Sequence, residues 1–192
     1  MPPRLGWYTN GMRPFPISLH TARLTLRLPD DQDARVEREM ILESLDHLWP
    51  WFSFRAEPPT LAERMELAAR QRAEAAEGTG ATYVVFAGDQ AVGKVWIDVD
   101  GPMAKMGWWL RAGATGHGYA TEAVRALPDL AFDFGVERVE AHMDPDNAPS
   151  RALAERAGFV LQEVRQDMHD RPDGVRRPGC VYALLSGLVR VN

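Results

Sequence analysis

The chain contains a single cysteine, Cys180, in 192 residues. That excludes an internal disulfide and any thiolate-held metal cluster, and it fits a reducing compartment. Histidine is also scarce: the five present are scattered and match no metal-ligand spacing. No apolar run approaches the roughly 18 residues of a membrane span. The opening MPPRLGWYTNGMRPFPIS lacks the apolar core of a signal peptide, so a cytoplasmic protein with no membrane partner is expected. Positive charge is not in excess. The formal net charge of −5 gives no electrostatic reason to expect DNA. The Gly-Lys-Ser/Thr of a P-loop is missing, and no internal repeat or low-complexity segment is found. What remains is an ordinary globular balance, 45% hydrophobic and 26% charged. The expected organisation is an irregular Pro- and Gly-containing arm over 1–16 followed by one domain over 17–192.

Periodicity supplies the elements. TARLTLRLP (Thr21–Pro29) alternates Leu24, Leu26 and Leu28 with polar residues, the period of a half-buried strand. DDQDARVEREMILESL places Val36, Met40 and Ile41 at helical spacing, and HLWPWFSFRAEPP then breaks all periodicity. Thr60 and Glu63 form a capping-box pattern that opens a second helix running to about Glu77. TYVVFAGDQAVGKVWIDVD is a hairpin around Gly88-Asp89, and MGWWLR is a further strand. After the stretch ATGHGYATEA, a helix runs to about Phe134 with a bend expected at Pro128. A strand is expected over Arg138–Met143, a short helix over Ser150–Ala157 closed by Gly158, and two final strands in FVLQEV and CVYALL. This order describes a mixed sheet with helices.

ATGHGYATEA (Ala114–Ala123) spends two glycines at the mouth of a helix. One reading is a bare strand-to-helix turn. The other is an anion site, since the first N–H groups of a helix lack partners and glycines let phosphate oxygens approach. A dinucleotide fingerprint fits poorly, because Thr121 stands where close helix–strand packing wants Gly or Ala. Downstream, DPDNAPSRALAERAGF places Asn147 and Ser150 three apart at the mouth of the short helix, where both residue types also serve as caps.

WWLRAGATGHGYATEAVRAL followed by DPDNAPSRALAERAGF resembles the GNAT superfamily of acyl-CoA N-acyltransferases. More narrowly, it resembles the RimJ/RimL-like branch that acetylates N-terminal amines of ribosomal proteins. TARLTLRLP, HLWPWF and CVYALL share the resemblance, which covers about Leu19 to Leu185. It implies an α/β (α+β) GNAT fold: a central, mostly antiparallel sheet of six to seven strands, four main helices and a splayed cofactor cleft. It also implies an acetyltransferase that uses acetyl-CoA, with a protein or peptide N-terminus, a small amine or an antibiotic as partner, working as a monomer or homodimer; the alternative is a non-catalytic acyl-CoA-binding module. The pyrophosphate would lie on Thr115, Gly116, His117, Gly118, Tyr119 and Ala120. The pantetheine arm would follow the strand Gly107–Leu110, touching Trp109 and Leu110, with Asn147 and Ser150 facing it. Thr115 replaces a family Arg or Gln, and Arg111 is the candidate to compensate. Ala154 stands where many relatives carry a tyrosine acid, which leaves Ser150 as the candidate proton donor to the thiolate. Lys105 replaces a glutamate of the branch, and the acidic residue of the last hairpin is replaced near Pro178-Gly179.

Amine acylation needs a neutral amine, a donor for the developing oxyanion and a proton for the departing thiolate. A backbone N–H of Trp108–Leu110 can serve the oxyanion. Asp98 and Asp100 are candidate bases or merely solvated turn carboxylates. His142 reads as a satisfied strand histidine and His117 as a loop residue. Trp49, Trp51, Phe52 and Phe54 either wall the acceptor cleft or pack the core. Cys180 reads as a small buried strand residue.

Overall fold

The computed structural model describes residues 13–51, 58–170 and 176–187. Capping chemistry sets the helix boundaries. In α1 (Asp31–Glu43), Asp30 and Asp33 cap reciprocally, and α2 (Leu45–Leu48) follows as a single turn. α3 (Leu61–Glu77) opens on the Thr60–Glu63 capping box and ends on Gly78 at φ 77°. α4 (Tyr119–Asp133) continues through Pro128 without a break, and α5 (Ala148–Ala157) ends on left-handed Gly158.

The strands are β1 (Ser18–His20), β2 (Leu24–Arg27), β3 (Gly80–Ala87), β4 (Gln90–Asp100), β5 (Met103–Leu110), β6 (Arg138–Met143), β7 (Val160–Asp170) and β8 (Arg176–Leu185). Among the described residues they form one eight-stranded sheet in the order β1-β2-β3-β4-β5-β6-β8-β7. Every pair is antiparallel except β5–β6. The extra strand over the expected six to seven is β1, three residues too short to show a period. The extra helix, α2, is the four-residue LDHL, a single turn too short to show a helical period.

Strand alternation gives the sheet two unlike faces. Val95, Ile97, Ala104, Met106, Val139, Ala141, Met143 and Tyr182 pack with α4 and α5 into the larger core. Cys180 is buried within it. The arm contributes as well: Phe15 lies 4.7 Å from Phe134, and its N–H donates to Ala75 O at 2.8 Å. On the opposite face, Met40, Ile41 and Leu48 of α1 and α2 cover Val84 and Trp109.

The buried stripe of α1 is Asp33, Ala34, Glu37, Met40 and Ile41, so two carboxylates point inward. Each meets a cation. Arg27 grips Asp33 through 2.8 Å contacts. Lys94 Nζ lies 2.8 Å from Glu37 Oε1, close enough for an ion pair though off-line for a hydrogen bond, and it donates to Gln71 Oε1 at 3.2 Å. Burial pulls Lys94 below the usual lysine range, against the attraction of Glu37. No helix among the described residues is long and apolar enough to cross a membrane.

Candidate active site

β5 and β6 pair only from Met103↔Arg138 to Met106↔Ala141. Beyond that point they part, while β5 continues to Leu110 and β6 to Met143. Half of the main-chain groups of Gly107–Leu110 face away from β4, toward the opening. A cleft of about 690 Å³ fills the gap and reaches both faces of the sheet. On the α4/α5 side it is lined by Thr115, Gly116, Gly118, Ala120, Asn147 and Ser150, and on the other by Leu48, Trp51, Trp96, Asp98, Lys105 and His142.

The glycine loop arrives from β5 through a 3₁₀ turn (Ala112–Ala114). Gly116 and Gly118 have φ of 81° and 79°, a region that costs other residues about 1–2 kcal/mol. No side chain caps α4. Among the described residues, the N–H groups of Gly116 through Thr121 have no acceptor, and the first helical bond is Glu122 N–H to Gly118 O at 3.1 Å. A run of unmet donors at the positive end of a helix, opening on a cleft, is a cradle for a phosphate-bearing ligand. A Cβ on Gly116 would meet nothing within 4 Å, whereas one on Gly118 would lie 3.3 Å from the Arg23 guanidinium. The Arg23 side chain can give by the few tenths of an ångström this needs, so it is the left-handed backbone that calls for glycine at 118.

That partner belongs to a clamp between the β1–β2 turn and α4. Glu122 accepts from Thr21 Oγ1 at 2.6 Å, from Arg23 N at 2.8 Å and from Arg23 Nε at 2.7 Å. Arg23 also donates to His117 O at 3.0 Å and stacks over Tyr119. Burial would raise the Glu122 carboxyl, but the bonds from Thr21 and Arg23 prevail and hold it low. A lowered folded pKa stabilises above the unfolded value and is lost as pH falls through the folded one. Glu122→Gln is therefore expected to melt earlier than wild type at neutral pH, by on the order of 1 kcal/mol because Arg23 is half-exposed. The two melting curves should converge as the pH drops below the ordinary glutamate range, and a gap independent of pH would assign the loss to packing.

At α5, Asn147 is the N-cap: its Oδ1 accepts from Ser150 N–H at 3.2 Å. The cap role left open for both residues thus belongs to Asn147 alone. Ser150 Oγ has no partner among the described residues and lies on the cleft. Leu153 also lines the cleft, and Ala154, at the position of the absent tyrosine, is buried beneath it.

Trp109, Leu110, Thr115, Gly116, Gly118, Ala120, Asn147 and Ser150 are brought together around the cleft. Three expected cofactor residues direct their side chains elsewhere. Arg111 follows Trp109 by two residues, so alternation turns it to the α1 face, where it pairs with Glu43 and donates to Ala91 O. The His117 ring meets Thr115 O at 2.8 Å and stacks on Tyr119, outside the cleft, so these two residues offer only backbone N–H groups. Asp98 and Trp51 line the cleft; Asp100 and Trp49 do not, and Phe52 and Phe54 lie outside the described residues. Asp98 is solvent-exposed at the mouth. Nearby protein atoms and the Glu74 charge still raise its carboxyl, against Lys105 across the strand pair.

Two features were not read from the sequence. A Cβ on Gly107 would come within 2.1 Å of the Trp96 indole, so this strand glycine exists to let the ring lie across β5. A glycine in a strand interior was the available signal. His142 Nε2 also lies 2.7 Å from Glu140 Oε2, a contact that the i, i+2 spacing permits.

Residues 23–160 match the family model described as an acetyltransferase (GNAT) domain. The chain is a GNAT acetyltransferase. This GNAT protein is 28% identical over 150 residues, 75% of its length and 81% of the other's, to a Bacillus subtilis (strain 168) protein named "Putative ribosomal N-acetyltransferase YdaF". Among solved structures, Mycobacterium smegmatis RimJ in complex with CoA-disulfide superposes with TM-score 0.80 at 25% identity, over 88% of this chain and 85% of RimJ. The microcin C7 self-immunity acetyltransferase MccE, in complex with acetyl-CoA and AMP, superposes with TM-score 0.80 at 22% identity over 86% of this chain and 93% of MccE, a likeness of fold alone.

Proposed function

We propose that this GNAT protein transfers the acetyl group of acetyl-CoA to a protein or peptide N-terminal α-amine. The observation that carries the cofactor is the row of unmatched N–H groups from Gly116 to Thr121, opening on a cleft that passes through the sheet. Those donors would hold the pyrophosphate. The unpaired edge of Gly107–Leu110 would take the amide-bearing pantetheine arm as an added strand takes its neighbour. Asn147 and Ser150 border the same cleft, which supports Ser150 as proton donor to the departing sulfur; a backbone N–H of Trp108–Leu110 would serve the oxyanion. The likeness to RimJ and YdaF supports a protein acceptor.

An α-amine has a reference pKa near ~8 and lysine near ~10.4, so an N-terminus is the easier nucleophile at neutral pH. A peptide with a free α-amine is expected to release CoA thiol from acetyl-CoA at least tenfold faster than an N-blocked, lysine-containing twin. Equal or faster reaction of the blocked peptide would make this a lysine or small-amine acetyltransferase. CoA should also raise the melting temperature, because it binds only the folded chain.

A further inference from the structure

We propose that His142 is the catalytic base that deprotonates the acceptor amine, held in the required tautomer by Glu140; this rests on the acetyltransferase reading above. The sequence offered His142 only as a satisfied strand residue. It is satisfied on one nitrogen. Nε2 lies 2.7 Å from Glu140 Oε2, while Nδ1 has no partner among the described residues and the side chain borders the cleft. Glu140 is itself buried and fixed by Arg138 Nε at 2.7 Å. A carboxylate held by a guanidinium accepts a hydrogen bond, so Nε2 carries the proton and donates it. The lone pair then resides on Nδ1, the nitrogen without a protein partner. Arg138 also balances the Glu140 charge, so the carboxylate orients the ring without needing a cationic imidazole as its counter-ion.

Position supports the role. His142 is the last residue of β6 to follow Glu140 on its face, just past the Met106↔Ala141 pair where β5 and β6 separate. It therefore borders the gap from the face opposite α4 and α5, while the glycine loop and Ser150 border it from theirs. The charged and titratable groups around this face are Glu140 and Arg138 on β6, Lys105 on β5, Asp98 on β4, Asp144 at the end of β6, His47 on α2, and Glu163 paired with Arg165 on β7. The strand facing His142 on the other side, β8, presents Val181. Of these, Asp98 and His47 are the rival bases.

The ammonium gives one proton to His142 Nδ1, directly or through one water, and the histidine passes it to solvent. The neutral nitrogen then forms the C–N bond to the acetyl carbonyl and loses its second proton as the C–S bond breaks. The sulfur leaves with the electron pair and takes up one proton. The balance is amide, thiol and one proton released.

The test uses the full chain with acetyl-CoA and a panel of free-α-amine peptides, read by thiol release. His142→Gln is expected to lower kcat by roughly 10²–10⁴ with CoA affinity unchanged, and to abolish the acidic limb of the pH–kcat/KM profile. Asp98→Asn and His47→Gln should each keep that limb. A normal limb in His142→Gln, or its loss in Asp98→Asn or His47→Gln instead, overturns the proposal while leaving the acetyltransferase reading intact. If wild type acetylates no amine, the acetyltransferase reading is what fails. A second readout needs no turnover: ring ¹⁵N shifts should show His142 protonated on Nε2 and bare on Nδ1 at neutral pH, with that preference lost in Glu140→Ala. A neutral ring protonated on Nδ1 would overturn the base assignment outright.

Discussion

Ser150→Ala is expected to lower kcat by roughly 10²–10⁴ while leaving CoA affinity and melting temperature near wild type. The structure makes this a clean experiment. Had Ser150 capped α5, its loss would cost about 0.5–2 kcal/mol of stability with little effect on chemistry. The cap is Asn147, which accepts from the Ser150 backbone N–H, and an alanine keeps that N–H. The hydroxyl itself meets only the cleft, so nothing in the fold depends on it. Measuring kcat, CoA affinity and thermal melting together separates the roles. Normal turnover in a folded Ser150→Ala protein would leave the thiolate to be protonated by solvent. Asn147→Ala should do the reverse in part, lowering the melting temperature because the α5 cap is removed.

The second large effect concerns stability far from the chemistry. Glu37→Ala is expected to destabilise the fold by about 3–5 kcal/mol, since it strands a buried lysine without its carboxylate. Lys94 and Glu37 are 5% and 2% exposed, so water cannot replace the lost partner. The double variant Glu37→Met, Lys94→Met should recover part of the loss, because a buried pair can be exchanged for apolar volume at little cost, while Arg64, 4.0 Å from Glu37 Oε2, still loses its carboxylate. The sign with pH follows from Lys94, whose folded pKa is already depressed by burial. Such a group makes the unfolded chain bind more protons, so stability rises with pH toward the unfolded lysine value near ~10.4. The Glu37→Ala deficit should therefore shrink under alkaline conditions. Chemical denaturation of the single and double variants at two pH values checks this. A single variant within about 1 kcal/mol of wild type would show that Gln71 and internal water satisfy the ammonium alone.

The two sites also explain how the scaffold divides its work. The ion pairs lie under α1, where they fix the helix against β2 and β4, and Trp109 on the same face forms one wall of the cleft. The splay of β5 from β6 leaves main-chain groups unpaired that any closed sheet would satisfy, and a ligand arm is the natural partner for them.

Much of this chain was decided locally and could be read directly. The Thr60–Glu63 box and Gly78 bound α3 because capping involves residues within one turn of each other. Arg138–Met143 alternates cleanly because one face packs the core. The loop glycines carry their left-handed backbone in their identity, and the spacing from Asn147 to Ser150 placed both residues at one helix mouth. Only the tertiary structure decided which neighbours each side chain met. Glu37 looks like a surface residue of a polar helix until Lys94, 57 positions away in sequence, turns it into a buried partner. Arg111, His117 and Tyr119 sit in the right segment, yet strand alternation and the Arg23 clamp turn their side chains from the cleft. The separation of β5 from β6 depends on where a parallel register stops, and no local pattern encodes that point. Sequence determines propensity and spacing over a few residues. Contacts between distant strands, which bury Glu140 and set His142 at the edge of the gap, exist only once the sheet has assembled.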